Sequence, residues 1–228
     1  MHRLFFFDTE TNGLPQNYKA PPTQIGNWPE ILSIAWEVWT VKEDVWTQES
    51  SEAYLIQPPE GMIWNKEAEH VHGISYVKAR SEGLPIKSVI EKVYTELQQA
   101  THVIAHNLAF DKSVFLASMI RHRISEAHSM AHQPHSEAVG LIRNLGAGRW
   151  SGAKDVCTML NTISICKIIS TSPYATAADP YKWPRLQELY QYLFKKEWNG
   201  TAHDALSDVQ CMRTCYRELV ARGCLAVE

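Results

Sequence analysis

Two acidic residues near the start of the chain could hold a metal ion. Asp8 and Glu10 directly follow a short apolar run at residues 4–7 that predicts a buried strand. Side chains two residues apart on a strand point to the same face, so both carboxylates would be aimed at one place. Like charges held this close repel, and a hard divalent cation would offset them. A lone Asp-x-Glu pattern is nevertheless more often a solvated strand end.

Two later segments carry a third and a fourth carboxylate and an imidazole. Asp111 lies one turn into a predicted helix that Asn107 is expected to cap, where an acid also simply favours the helix N-terminus. The segment HDALSD at residues 203–208 places His203 before the last predicted helix and Asp208 in its early turns. An imidazole can take a proton from water at neutral pH, although a single histidine there is more often a surface or capping residue. Read together, these residues predict a two-metal phosphodiesterase site.

The same three segments resemble the motifs of a nuclease family. They are FDTETNGL at residues 7–14, HNLAFD at 106–111 and HDALSD at 203–208. In sequence, order and spacing they are similar to the motifs of the DEDDh-type 3′–5′ exonucleases, the group that contains the epsilon proofreading subunit of bacterial DNA polymerase III, RNase T and TREX. The resemblance extends from residue 4 to about residue 220 and includes all five acid and base positions.

The resemblance implies a fold and a reaction. The fold would be α/β and RNase H-like, with a five-stranded mixed sheet flanked by helices on both faces. The chain would be a hydrolase that releases nucleoside 5′-monophosphates from a 3′ end, with two Mg²⁺ or Mn²⁺ ions as cofactors. Asp8 would bridge the two ions, Glu10 and Asp208 would complete the site on the nucleophile side, and Asp111 would hold the leaving-group ion through water. His203 would be the general base that deprotonates the attacking water.

The resemblance also implies six residues that would bind the substrate. These are Thr9, Thr11, Leu14, His72, Ile74 and Asn107. Leu14 would press on the terminal base, and the segment 72–74 would line its pocket. For Asn107, helix capping is an equal or better explanation, and segment 72–74 could equally be a plain turn between two helices.

The rest of the pattern predicts one domain over residues 1–228. Strands are predicted at residues 3–7, 31–41, 45–57, 101–105 and 154–157, with Lys42-Glu43-Asp44 as the turn of a hairpin. Helices are predicted at residues 65–71, from Ser75, at 85–99, from Asn107, from residue 158 through Ile169, at 186–194 and at 204–221. Residues 123–152 show no strong pattern and are interpreted as an insertion or mobile segment.

Composition excludes several classes of protein. The net charge of −3 and the pI of about 6.4 argue against a basic nucleic-acid coat protein, although bound metals could still attract phosphate. Five cysteines without a Cys-x-x-Cys pair indicate reduced thiols and a cytoplasmic location. No apolar stretch approaches the ~18 residues of a membrane span, so no membrane association is expected.

Several features have two interpretations. His128 and His132 have a spacing that could bind zinc, but a solvated loop is favoured; Cys211 and Cys215 are expected to be core thiols. Trp183 or Trp198 could stack on a nucleobase. A basic stretch could follow phosphates or simply be solvated; it consists of Lys182, Arg185, Lys195 and Lys196.

Function is also open at the level of substrate. Single-stranded DNA, or a frayed DNA end, is the favoured substrate. RNA trimming stays open as the alternative, because a contact to a 2′-hydroxyl cannot be recognised in one sequence. A non-catalytic nucleic-acid-binding module is disfavoured by the five intact chemical residues. A subunit that docks on a DNA polymerase is a third hypothesis, which a pull-down with a polymerase catalytic subunit would test.

Overall fold

The protein is built around one mixed β-sheet. The computed structural model describes residues 1–122 and 150–227, and within them five strands pair in the order β3-β2-β1-β4-β5. The strands are β1 (His2–Thr11), β2 (Ile31–Lys42), β3 (Val45–Leu55), β4 (His102–Ala105) and β5 (Lys154–Cys157). β2 runs antiparallel to both β1 and β3, whereas β4 runs parallel to β1 and β5 parallel to β4. The predicted five-stranded mixed sheet is confirmed.

Helices cover both faces of this sheet. In the described residues they are α1 (Lys66–His72), α2 (Tyr76–Glu82), α3 (Ile86–Gln99), α4 (Leu108–Arg121), α5 (Thr158–Asn161), α6 (Ile163–Cys166), α7 (Leu186–Phe194) and α8 (Ala205–Ala221), with a 3₁₀ turn at Ile25–Asn27. Phe6 of β1 contacts Tyr216 of α8 at a ring distance of 5.5 Å. Phe7, which points to the opposite face, contacts Trp150, and Trp150 contacts Phe115 of α4. The α8 and α4 layers therefore lie on opposite sides of β1.

The central strand β1 is apolar because both of its faces are covered. Leu4, Phe5, Phe6 and Phe7 have no measurable exposure. A strand covered on both faces has a continuous apolar run instead of an alternating one, as expected for strands next to parallel neighbours. The run ends at Asp8, just beyond the last residue of β1 that pairs with β4, Phe6.

The hairpin between β2 and β3 turns at the predicted residues. Glu43 and Asp44 both have positive φ, 49° and 64°, and they connect the paired residues Lys42 and Val45. Positive φ at both central residues is the geometry of a two-residue turn whose twist matches that of the flanking strands. Neither residue is glycine, so the turn has a conformational cost.

Helix starts are mostly where they were predicted. The Asn65 side chain accepts hydrogen bonds from two backbone N–H groups of α1, and the Ser75 and Asp204 side chains cap α2 and α8 in the same way. For Asn107 the capping interpretation is wrong. Asn107 adopts a left-handed conformation (φ 76°) before α4, and its side chain makes no capping hydrogen bond.

The predicted helix from residue 158 through Ile169 is also wrong. Two four-residue helices, α5 and α6, take its place. The Thr162 hydroxyl donates to the carbonyl oxygen of Thr158 at 2.7 Å, and Lys167 ends α6 in a left-handed conformation (φ 50°). A threonine that bonds back to its own helix and a left-handed residue both interrupt helical hydrogen bonding.

The remaining predictions concern the insertion and the cysteines. Residues 123–149 of the predicted insertion, with the candidate zinc pair His128 and His132, lie outside the described residues. Cys211 and Cys215 are fully buried in α8, as expected for core thiols. Over the parts of the chain that the structure describes, no helix is both long and apolar enough to span a bilayer.

Candidate active site

A cleft of about 970 Å³ opens where β1 and β4 end. In an α/β sheet the carboxyl ends of parallel strands form an edge at which loops and helix starts converge, and binding sites are commonly built there. Five carboxylates from four elements line the cleft, namely Asp8, Glu10, Glu67, Asp111 and Asp208, together with His203. The cleft therefore brings together all five residues in which the sequence predicted the chemistry.

Glu10, Asp208 and His203 lie close together in the cleft. Their potential ligand atoms all lie within 4.8 Å of one another. Asp8 and Glu10 point to the face of the sheet that α8 covers, because they alternate in step with Phe6. Two β1 carboxylates thus meet the Asp208 carboxylate from the first turn of α8.

Asp111 approaches from the other helix layer and is held by Thr9. Oδ1 of Asp111 accepts a hydrogen bond from the Thr9 backbone N–H at 3.1 Å and a second from the Thr9 hydroxyl at 2.8 Å. Both residues are buried, with exposures of 2% for Asp111 and 6% for Thr9. Thr9 therefore orients the Asp111 carboxylate at the strand end.

The four carboxylates perturb one another strongly. Burial raises the pKa of Asp8 well above its ordinary value, and the charges of Asp111 and Glu10 raise it further. Burial, with the charge of Asp208, raises the pKa of Glu10 to about 8. Burial also raises the pKa of Asp111 to about 7, even though the hydrogen bonds from Thr9 lower it.

The pKa of Asp208 is raised less, to about 6. Burial is the main cause, and the hydrogen bond from the His203 backbone N–H acts in the opposite direction. Four neighbouring acids, of which Glu10, Asp111 and Asp208 are buried and Asp8 is partly buried, are unfavourable as anions unless a cation lies between them. Because carboxylate oxygens are ligands that Mg²⁺ and Mn²⁺ prefer, the residues present fit a site for hard divalent cations.

His203 lies in the loop that precedes α8, and its imidazole is exposed. The residue has a positive φ of 60°, and its backbone N–H donates to Oδ2 of Asp208 at 3.1 Å. Upstream, Nε1 of Trp198 donates to the Ser207 hydroxyl at 2.9 Å, and a Cβ on Gly200 would lie 2.2 Å from that hydroxyl. Close packing of this loop on α8 thus positions His203 beside the carboxylates.

One wall of the cleft is formed by α1 and the end of β1. Asn12 links the two elements, because its side-chain amide donates to Ile63 O at 2.8 Å and its oxygen accepts from Asn65 N–H at 2.9 Å. Gly13 lies between them with φ 116°, and a Cβ there would approach the Asn65 amide to 2.8 Å. The wall therefore depends on a glycine at position 13.

The predicted substrate-binding residues divide into two groups. Thr9, Thr11, Leu14 and His72 line the cleft, whereas Ile74 and Asn107 do not. The Thr11 hydroxyl donates to Gly13 O at 2.7 Å. Ile74 donates its N–H to Nδ1 of His72 at 3.0 Å, so it contacts a residue that lines the cleft without lining it itself.

A second wall of the cleft was only partly predicted from the sequence, in which Trp183 was a candidate for base stacking and Arg185 belonged to a basic stretch. It contains the segment 183–187, which His106 connects to the end of β4. Nε2 of His106 lies 2.9 Å from Pro184 O, which can only accept, so Nε2 donates there and Nδ1 accepts from the Thr158 hydroxyl at 2.9 Å. Burial lowers the pKa of His106 to about 4, so its imidazole is neutral and structural. The only sequence signal for this residue was its place in the segment HNLAFD.

Comparison with known proteins identifies the fold. The sequence matches no protein-family model and no curated protein. The structure is similar to E. coli exonuclease I in complex with a dT13 oligonucleotide, with a TM-score of 0.64 and 16% identity over 97% of this chain. It is also similar to a zinc-bound complex of E. coli exonuclease I with single-stranded DNA (TM-score 0.60, 16% identity) and to a product-bound exonuclease I (TM-score 0.62, 15% identity), again over 97% of this chain.

The similarity covers only part of exonuclease I. The chain spans 42% of the length of the dT13 complex, 41% of the zinc-bound complex and 44% of the product-bound protein. At such low identity the likeness concerns the course of the backbone and not the substrate. The chain has the RNase H-like fold that is seen in exonuclease I.

Proposed function

We propose that the protein is a metal-dependent 3′–5′ exonuclease that hydrolyses single-stranded DNA and releases nucleoside 5′-monophosphates. The observation that carries this proposal is the convergence of Asp8, Glu10, Asp111, Asp208 and His203 in one cleft, from three segments far apart in the sequence. The fold shared with exonuclease I supports a nuclease. The 3′–5′ direction is inferred from the resemblance of the same three segments to DEDDh motifs.

The four carboxylates would hold two divalent ions, Mg²⁺ or Mn²⁺. When bound, such ions stabilise charge on a phosphate and lower the pKa of a coordinated water. Asp8 would contribute to holding both ions, Glu10 and Asp208 would hold one of them, and Asp111 would hold the other. Thr9 would keep Asp111 oriented through its two hydrogen bonds.

His203 would act as the general base. Its ring lies within 4.8 Å of ligand oxygens of Glu10 and Asp208, so a water among these groups would be within reach of the imidazole. The imidazole is exposed, and a proton accepted from that water could pass to solvent. The hydrogen bond from its backbone N–H to Asp208 would keep the base beside the carboxylates.

Single-stranded DNA is the proposed substrate. The similar exonuclease I structures include complexes with dT13 and dA16 oligonucleotides. In this chain Leu14 is largely exposed and lines the same cleft as the carboxylates and His72, so it could press on a terminal base. RNA remains the alternative substrate within the same reaction class.

A gel assay tests the proposal directly. DNA and RNA strands of equal sequence, labelled at the 5′ end, would be incubated with Mg²⁺, Mn²⁺ or EDTA. We expect a ladder that shortens from the 3′ end, requires metal and forms faster on DNA. Asp8→Asn and His203→Ala should each lower the rate by at least about a hundredfold.

Matched control variants lie outside the cleft. His70→Ala removes an exposed histidine of α1, and Glu60→Gln neutralises an exposed acid; neither residue lines the cleft. Both variants should degrade DNA like the wild type. If the strands stay intact in every metal while binding is retained, the proposed enzymatic activity is wrong and a binding module is favoured. Faster cleavage of RNA than of DNA would keep the activity but identify RNA as the preferred substrate.

A further inference from the structure

An exposed tryptophan lines the same cleft as Leu14 and His72. Trp183 is 63% exposed and lines the same cleft as the catalytic carboxylates. Its two neighbours along the chain are less exposed than Trp183 itself: Pro184 is buried and Lys182 is partly buried. An indole is a large apolar surface, and leaving it in water inside a concave site forgoes the stabilisation that burial would bring.

The segment that presents Trp183 is fixed at both of its ends. On one side, Lys182 donates its backbone N–H to Ile168 O at 2.9 Å. On the other side, Pro184 O accepts from Nε2 of His106 at 2.9 Å. These contacts hold the backbone on either side of Trp183 against the body of the protein, so its indole is presented from a rigid segment.

This wall begins at the carboxylates. Nε2 of Gln187 lies 3.5 Å from Oδ1 of Asp208, at the long limit of a hydrogen bond. Arg185, between Gln187 and Trp183, is exposed and is the one lysine or arginine among the described residues that line the cleft. From the carboxylates outward, the wall thus offers an amide, a cation and an aromatic surface.

This order of groups fits a single strand of nucleic acid. Binding of single strands combines aromatic side chains that stack on bases with cations that attract the phosphates. A terminal nucleotide against Leu14 and His72 would place the scissile phosphate at the carboxylates. The preceding nucleotide would then leave the carboxylates along the segment that begins at Gln187, and Arg185 and Trp183 of that segment also line the cleft.

On the basis of the proposed function, we propose that Trp183 stacks on the base of a nucleotide 5′ to the scissile phosphate and that Arg185 binds a backbone phosphate beside it. Trp198, the other candidate for stacking, makes contacts inside the protein and does not line the cleft. Its Nε1 donates to the Ser207 hydroxyl, and its ring packs on Tyr190 with a centroid distance of 5.1 Å. Trp183 thus extends the site by one nucleotide beyond the terminal pocket.

Two substrates separate this role from catalysis. An oligodeoxythymidylate offers upstream bases, whereas the p-nitrophenyl ester of thymidine 5′-phosphate offers none. Trp183→Ala should lower kcat/KM for the oligonucleotide about tenfold more than for the ester, mainly through KM, and Trp183→Phe should restore most of the loss. Tyr174→Ala is the matched control, because Tyr174 is 90% exposed nearby in sequence but does not line the cleft.

A binding measurement decides the point independently of hydrolysis. The affinity for a fluorescein-labelled oligonucleotide would be measured by anisotropy in Ca²⁺, with and without an abasic site at the penultimate position. Trp183→Ala should weaken binding of the intact strand about tenfold and have a much smaller effect on the abasic strand. Equal losses on both strands, or no loss on either, would overturn the stacking role.

The outcomes also distinguish this inference from the proposed function. Hydrolysis of both substrates with an unchanged ratio in Trp183→Ala overturns the stacking role and leaves the exonuclease in place. Binding without hydrolysis by the wild type rejects the exonuclease, and the abasic comparison still decides the role of Trp183. A wild type that binds no strand overturns both proposals.

Discussion

The metal-free protein should lose stability as the pH rises, because Asp208 must ionise within the carboxylate cluster. The pKa of Asp208 is about 6 in the folded protein, against an ordinary value of 3.8. Between these values the folded state binds more protons than the unfolded state, so the free energy of unfolding falls as the pH increases. The penalty is absent below roughly pH 4 and complete above roughly pH 7.

The size of this penalty follows from the two pKa values. At about 1.4 kcal/mol per pH unit, a rise from 3.8 to about 6 corresponds to roughly 3 kcal/mol for this buried group. Asp208→Asn removes the titrating group but keeps an oxygen that can accept the His203 N–H. Near pH 8 the variant should therefore be more stable than the wild type by about 2–3 kcal/mol, or roughly 4–12 °C in Tm, with little of this gain near pH 4.

Thermal denaturation in EDTA, followed by circular dichroism from about pH 4 to pH 9, measures this difference. Glu60→Gln serves as the control, because Glu60 is exposed and lies outside the cleft. If the carboxylates hold Mg²⁺ as proposed, adding Mg²⁺ at pH 8 should raise the Tm of the wild type more than that of Asp208→Asn, since a ligand of the folded state stabilises it. The same difference between variant and wild type at pH 4 and pH 8 would refute the electrostatic explanation.

Three further substitutions test individual contacts. Thr9→Val removes the hydroxyl bonded to Asp111 and should weaken Mn²⁺ binding about tenfold in calorimetric titrations. Tyr216→Phe removes a fully buried hydroxyl that has no hydrogen-bond partner in the described residues, and should raise the free energy of unfolding in urea by about 1 kcal/mol. Asp44→Gly relieves a non-glycine residue at φ 64° and should also add about 1 kcal/mol in the same urea measurement.

Each of these three substitutions has a result that would contradict its explanation. For Thr9→Val, the control is Thr95→Val, whose hydroxyl bonds within α3 away from the cleft; unchanged metal affinity would show that the backbone N–H alone positions Asp111. A loss of stability in Tyr216→Phe would mean that its hydroxyl is satisfied in solution. Stabilisation by Asp44→Ala equal to that by Asp44→Gly would exclude the backbone explanation.

The sequence was most informative where local pattern and function coincide. The apolar run before Asp8 identified β1, and the acids at its end identified the edge of the sheet where the cleft opens. The segment 203–208 placed His203 before α8 and Asp208 in its first turn, as the structure has them. These features depend on residues close together in the chain, so strand and helix periodicity were sufficient to find them.

The sequence was least informative where distant segments decide the structure. The wall with Trp183 depends on the bond from His106 to Pro184, two residues 78 positions apart. Thr9 was expected to bind the substrate and does line the cleft, but the bond from its hydroxyl to Asp111, 102 positions away, was not foreseen. Neither pairing leaves a periodic signal, because each depends on how β4 and α4 lie against their neighbours.

The alternation of side chains along β1 explains how one strand contacts acids on both faces of the sheet. Asp8 and Glu10 point to the face covered by α8 and meet Asp208 there, while Thr9 between them points to the other face and binds Asp111 of α4. Three consecutive residues at a strand end thus connect acids from helices on opposite sides of the sheet. A shift of β1 by one residue would exchange these faces and separate the acids, so the long antiparallel pairing of β1 with β2 also maintains the geometry of the carboxylate cluster.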